Sequence, residues 1–243
     1  MVSKFKYNCY LMNTLRMLTY NVQTGKRIDR IVDWLNRLPD TDIICLQEFP
    51  KDKIDECTLL LSRIPYGYAY AEAFTYRKKI YGELTLFRKD RIKKVRSKII
   101  TLWINRTERR ILKTTIPRSF LTISGYVGSS KIVIVNVHVV ALAVNSVKYA
   151  QVKHLIDHVR HLRCPLVLLG DFNISSLLGK RNLFSSLKRE GYTMDPKKIL
   201  THRVGPIKHQ FDYVFCRNCE VIDQHVEKIK FSDHYPLIAQ CQI

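Results

Sequence analysis

Apolar and polar positions divide this chain into short segments that alternate between the period of a strand and the period of a helix. Residues 15–22 have the β-branched and aromatic content of a strand. Within 27–38, Ile28, Ile31, Val32, Leu35 and Leu38 recur at helical spacing, and Pro39 marks the end. Residues 42–47 predict a second strand that stops at Glu48, and 53–63 a second amphipathic helix. The middle is mainly β, with strands predicted at 66–74, 82–88 and 93–103, then a hairpin of 120–126 and 131–138 joined through Gly128, Ser129 and Ser130. A helix over 146–162 leads past Pro165 into the apolar run 166–169, which ends at Gly170, Asp171, Phe172 and Asn173. The last third predicts strands at 211–215, 221–230 and 237–242 around a turn of Ser232, Asp233 and His234. No repeat or Gly/Ser-rich linker interrupts this series, so the expectation is one domain in which two β-rich halves pack as a sandwich flanked by helices.

Composition narrows the class. A hydrophobic content of 46% over 243 residues supplies a sizeable core and excludes a disordered chain, and no apolar run approaches the roughly 20 residues that span a bilayer. With 41 Lys and Arg against 21 Asp and Glu, the net charge of +20 attracts polyanions, nucleic acid first and anionic lipid surfaces second. Seven scattered cysteines make a disulfide framework improbable, and the lone Cys216-x-x-Cys219 pair lacks a zinc-completing partner; a reducing compartment, cytoplasmic or nuclear, is expected. Residues 1–14 read as a short basic leader without the apolar core of a secretion signal, with Met12 an alternative start.

Polar groups with no packing role stand at five strand ends: Asn21, Glu48, Asn136 with His138, Asp171 with Asn173, and Asp233 with His234. Taken singly, each reads as a turn-former or a hydrogen-bonded core residue. Their order and contexts carry more: Thr19-Tyr20-Asn21-Val22-Gln23, Cys45-Leu46-Gln47-Glu48, Val135-Asn136-Val137-His138, Gly170-Asp171-Phe172-Asn173, Phe211-Asp212-Tyr213-Val214-Phe215 and Ser232-Asp233-His234-Tyr235-Pro236. Together, from about residue 16 to 241, these resemble the endonuclease/exonuclease/phosphatase superfamily, the deoxyribonuclease-I-like metal-dependent phosphodiesterases.

The resemblance implies an α/β fold, a four-layer α/β/β/α sandwich of two mainly antiparallel sheets, with 15–243 as one catalytic domain. It implies Mg²⁺ as cofactor, with Mn²⁺ able to substitute, held near Glu48, Asn21 and Asp233, since magnesium takes one or two carboxylates beside water and phosphate. The base is either Asp171 or His234 oriented by Asp212, and the choice stays open at this stage. Asn173 places water or phosphate, His138 donates to a nonbridging oxygen, and Arg118 resembles a phosphate-side position. Gln23 and His138 depart from the abasic-site endonuclease branch and favour the deoxyribonuclease, tyrosyl-DNA phosphodiesterase, sphingomyelinase and inositol-phosphatase branches.

The expected substrate is nucleic acid, DNA ahead of RNA. Alternatives are a phosphoinositide or sphingolipid phosphohydrolase and, less favoured, a catalytically silent nucleic-acid-binding module. From Arg88 to Arg118 the chain carries twelve Lys or Arg and only two acids, Asp90 and Glu108, beside Trp103 and Phe120. That mixture suits a phosphate backbone and a stacked base; a charge-protected sheet edge is the plainer reading.

Overall fold

The computed structural model describes residues 14–38, 41–61 and 65–243. The basic leader, Met12, Cys9, the helix-ending Pro39 and the predicted helix end at Arg63 lie outside them. A six-stranded sheet runs in the order β12-β13-β1-β2-β4-β3, with β1 Thr14–Asn21, β2 Ile43–Pro50, β3 Tyr66–Tyr76, β4 Lys79–Arg88, β12 Glu220–Val226 and β13 Leu237–Gln242. A five-stranded sheet runs β11-β8-β7-β6-β5, with β5 Lys93–Thr101, β6 Ser119–Val127, β7 Ser130–His138, β8 Leu166–Asp171 and β11 Asp212–Arg217. Among the described residues, only β1 with β2 and β7 with β8 pair parallel. A small hairpin, β9 His202–Val204 and β10 Ile207–His209, stands apart from both sheets.

Strand parity sorts the apolar runs into layers. Along β2, Ile43 and Cys45 enter the core between the sheets, while Ile44 and Leu46 face α1 (Ile28–Leu35) and α2 (Ile54–Leu60). Along β8, Val167 and Leu169 enter the same inter-sheet core, and Leu166 and Leu168 face α4 (Asn145–Val159) and α5 (Leu177–Arg189). Burial on both faces is why these strands read as unbroken hydrophobic runs. The result is the four-layer α/β/β/α sandwich.

The inter-sheet positions change character toward one end. β1 presents Leu15, Met17, Thr19 and Asn21 in turn; β7 presents Ile132, Ile134, Asn136 and His138; β8 presents Val167, Leu169 and Asp171. Between the apolar half and the polar end lies a hydrogen-bonded layer, in which Gln47 Nε2 donates to Thr19 Oγ1 at 2.9 Å and to Asn136 Oδ1 at 2.7 Å. The Asn136 amide then donates to the carbonyls of Leu46 and Leu84 at 3.2 and 3.1 Å, binding the two sheets together. Asn136 is therefore a structural crosslink.

Some boundaries differ from the expectations. Two helices lie where none was predicted. α3 (Arg106–Leu112) has no apolar stripe and is started by Asn105, whose side chain accepts from the Thr107 and Glu108 amides. In α5 the exposed Leu177 and Leu178 blur the periodicity of the buried Leu183 and Leu187. The strand expected over 221–230 ends at Val226, because Glu227 donates its amide to Pro236 O at 3.0 Å and the chain turns toward the site. The basic stretch from Arg88 to Arg118 is dispersed: β5 is the exposed edge of its sheet, Arg91 pairs with Asp42, and Arg118 is buried. No described helix is long and apolar enough to cross a membrane.

Candidate active site

Two backbone distortions aim the polar groups. Parity alone would send Glu48 toward the helices with Ile44 and Leu46; instead the β2–β4 register slips between Leu46 and Phe49, and Glu48 takes φ +58°. Such a bulge re-aims a side chain, and here it brings Glu48 Oε1 to Asn21 Nδ2 at 3.2 Å and to His138 Nε2 at 3.8 Å. At the end of β8, Gly170 adopts φ +147°, where an added Cβ would stand 1.9 Å from Val137 O. Only glycine lets β8 lie this close to β7 and deliver Asp171 beside His138 in register.

Asn21 is the hinge of the arrangement. Its Nδ2 is shared between Glu48 Oε1 and Asp171 Oδ2, 3.1 Å away, and its Oδ1 accepts from the Gln23 amide. Asp171 also accepts from the Asn173 amide at 2.8 Å. Burial, tempered by His234, pushes the Asp171 carboxyl up to about 6. On its other side, His234 Nε2 lies 3.6 Å from Asp171 Oδ2, while Nδ1 is 2.8 Å from Asp212 Oδ2. Burial alone would lower the imidazole; the Asp212 and Asp171 carboxylates outweigh it and raise His234 to about 10. At neutral pH the ring is therefore an imidazolium with both nitrogens donating.

His138 is wholly buried and in a different state. The Arg118 guanidinium, which can only donate, places Nη1 3.0 Å from His138 Nδ1, so that nitrogen accepts and the ring proton lies on Nε2. Glu83 Oε1 is 3.1 Å from the same nitrogen, and burial drives the Glu83 carboxyl well upward. Burial, then the Arg118 charge, holds His138 well below its ordinary value. Arg118 itself is clamped: Nη2 donates to Glu108 Oε1 at 2.6 Å, Nε bonds both Glu108 oxygens, and the guanidinium covers the Phe74 ring at 4.4 Å.

Asp233 joins the cluster from the turn after β12. Ser232 Oγ donates to Asn21 O at 2.7 Å and to Asp233 Oδ1 at 3.1 Å, and His202 Nε2 approaches Asp233 Oδ2 at 3.8 Å. Asn173, at φ +51°, commits Nδ2 to Val139 O. Thus Asn21, Glu48, His138, Asp171, Asn173, Asp212, Asp233 and His234 meet at one edge of the sandwich, and Arg118 reaches it through His138.

Sequence reasoning missed Glu83, Glu108, Lys148 and His202. Glu83 had a signal, a lone carboxylate inside the apolar run Leu84, Leu86 and Phe87. Lys148, buried with Nζ on Asn173 O at 2.6 Å, and His202, whose ring centroid is 4.7 Å from that of His234, had none, since their partners are distant in sequence.

Glu48 is partly open to a cavity of about 390 Å³ lined also by Thr24, Phe74, Glu108 and Arg118. Among the described residues, neither Glu48 nor Asp233 has a Lys or Arg ion pair, despite the abundance of cations. Carboxylates without a Lys or Arg partner are hard oxygen donors of the kind that suit a divalent cation. Two histidine-containing triplets, His202 with Asp233 and His234, and Asp171 with Asp212 and His234, also cluster closely enough to hold an ion. His234 belongs to both, and its Nδ1 is committed to Asp212 at 2.8 Å.

The sequence profile of the Endonuclease/Exonuclease/phosphatase family matches residues 18–234. A UPF0294 protein of Yersinia pseudotuberculosis is 29% identical over 112 residues, which are 46% of this chain and only 43% of that protein's length. An endonuclease/exonuclease/phosphatase from Bacteroides vulgatus superposes with a TM-score of 0.74 at 16% identity, over 95% of this chain and 99% of that one. D. rerio TDP2, solved in complex with a single-strand DNA product, superposes with a TM-score of 0.69 at 14% identity, over 95% and 99% of the two chains. At such identities the structural likeness speaks for the fold. Because the profile runs from β1 to the Ser232–His234 turn, this chain belongs to the endonuclease/exonuclease/phosphatase family, whose members are generally hydrolytic enzymes.

Proposed function

We propose that the chain is a Mg²⁺-dependent phosphodiesterase acting on nucleic acid, with DNA ahead of RNA. The observation that carries this reading is the Asn21 amide shared between Glu48 and Asp171 at 3.2 and 3.1 Å, which sets a metal-type carboxylate and a base-type carboxylate on opposite sides of one group. Asn21, Glu48 and Asp233 would hold the cation. When bound, it supplies Lewis-acid stabilisation of charge on the phosphoryl group and leaving oxygen.

The chain's own side chains do the rest. Asp171 takes the proton of the attacking water: at about 6 it is ionised at neutral pH yet basic enough to accept. His234 is unsuited to that task with both nitrogens protonated; held by Asp212, it turns its Nε2–H toward Asp171 and the incoming phosphate. His138 offers its Nε2–H to a nonbridging oxygen as a neutral donor, and Arg118 acts through it, fixing the tautomer, rather than on the phosphate directly. Asn173 orients Asp171 through its backbone amide. That D. rerio TDP2 is known with a single-strand DNA product favours DNA among polyanions.

The test is turnover of bis-p-nitrophenyl phosphate and of a labelled oligonucleotide with Mg²⁺, with and without EDTA. Hydrolysis of both esters, abolished by EDTA, is expected; absence of turnover by the folded protein across Mg²⁺ and Mn²⁺ would refute the reading.

A further inference from the structure

The basic excess has a second concentration, away from the stretch that stands out in the sequence. A groove of about 710 Å³ is lined by Lys197, Lys198, Arg203, Lys208, Lys228 and Lys230, and no Asp or Glu lines it. All six are exposed, and none makes an ion pair among the described residues. Six like charges around one concavity repel one another, and this repulsion is relieved by an anionic occupant that spans them.

Alternation places this groove behind the site. His202 and His234 form an antiparallel bridge, and their rings meet on the catalytic side. The next residue on each segment, Arg203 or Tyr235, lines the groove. Backbone bonds from Arg203 N to Asp233 O at 2.8 Å and from Tyr235 N to Thr201 O at 2.6 Å fix the β9–β10 hairpin to the catalytic turn. The wall between groove and active site is therefore one hairpin thick. On the catalytic face of that hairpin, opposite the groove, the rings of His209 and Phe211 stack at 5.2 Å and 10°, with His202 4.6 Å from Phe211.

We infer that this groove forms the track for the substrate strand flanking the scissile phosphate, the six cations taking backbone phosphates. The inference rests on the phosphodiesterase reading for its substrate class. Cations gathered around a concavity match the spaced phosphates of a strand, whereas a lipid surface calls for protruding apolar side chains. By contrast, the exposed basic residues of β5 lie on a sheet edge whose neighbour-side hydrogen bonds are made with β6 alone, the setting in which lysine guards against strand pairing.

The test compares two charge-neutralised full-length proteins, K197Q/K198Q/K208Q/K228Q in the groove and K93Q/K94Q/K98Q on β5, with the parent. Binding of a fluorescent single-stranded oligonucleotide is titrated in EDTA across salt concentrations, and bis-p-nitrophenyl phosphate turnover is measured with Mg²⁺. The groove variant should lose roughly 5-fold in affinity per phosphate contact at about 0.1 M salt, with the salt slope shallower by about 0.7 per contact. Small-ester turnover and thermal unfolding should be unchanged, and the β5 variant should bind like the parent. Unchanged oligonucleotide affinity in the groove variant overturns the proposal, as does loss confined to the β5 variant. Loss of binding to phosphatidylserine vesicles with oligonucleotide binding intact also overturns it, in favour of a lipid. A parent that binds through the groove but hydrolyses neither ester overturns the enzymatic reading and leaves the groove standing.

Discussion

Replacing Asp171 by Asn separates catalysis from stability in opposite directions. The carboxyl is 1% exposed and shifted from 3.8 to about 6, which at about 1.4 kcal/mol per pH unit means that the ionised native form carries a penalty of about 3 kcal/mol. Asn removes that charge and opposes it with one loss. Asp171 accepts from both Asn21 Nδ2 and the Asn173 amide, and a carboxamide has one oxygen for two donors, a cost of about 1 to 3 kcal/mol. The net expectation is a fold as stable as the parent or up to about 2 kcal/mol more stable, with turnover reduced by about 10² to 10⁴.

Urea unfolding in EDTA and turnover per folded molecule with Mg²⁺ measure the two sides. The linkage has a definite sign: a carboxyl whose native pKa is raised contributes stability that is present below 3.8 and lost as pH rises through about 6. The parent should therefore lose more stability than Asp171→Asn across that window. An Asn variant destabilised by several kcal/mol with normal turnover per folded molecule would refute the reasoning and make Asp171 a structural residue.

Other expectations follow from the same geometry. His234→Ala should cut turnover by orders of magnitude and Asp212→Asn by less, and the double variant should match His234→Ala, because a hydrogen-bonded pair at 2.8 Å acts as one unit; additive losses in log kcat would count against it. EDTA should abolish activity and Mg²⁺ or Mn²⁺ restore it, with Glu48→Gln raising the Mg²⁺ concentration required; a parent-like Mg²⁺ titration curve in that variant would remove Glu48 from the metal site. Glu108→Gln leaves Arg118 buried without its counter-ion and should destabilise by about 3 to 5 kcal/mol in urea unfolding, whereas adding Arg118→Met should recover most of that loss while activity stays low.

The sequence made the strands legible because their two-faced burial writes unbroken apolar runs, and it made the site legible because polar residues end those runs in a family order. Helices α3 and α5 escaped, one held by a cap without a stripe and the other with leucines turned to solvent. Glu108, Lys148 and His202 escaped because each acquires its role from a partner that only tertiary packing supplies, whereas Glu83 was marked in the sequence as a lone carboxylate within an apolar run. The basic track escaped for a related reason: residues 197–230 bring their cations together by a hairpin and a turn, whereas those from Arg88 to Arg118 are contiguous in sequence and dispersed in space.

The apolar-to-polar progression along the inter-sheet face makes register the common dependency of folding and chemistry. A one-residue slip in β7 would turn Asn136 and His138 toward α4 and α5 and bring Val135 and Val137 into the site, so a single insertion there would dissolve the core and the catalytic edge together. The β9–β10 hairpin belongs to neither sheet and meets the catalytic turn through a few backbone bonds and the His202 side chain. Varying that hairpin with His202 kept is therefore the economical route to a new substrate range on an unchanged reaction centre, and the strands are the part that variation must leave in step.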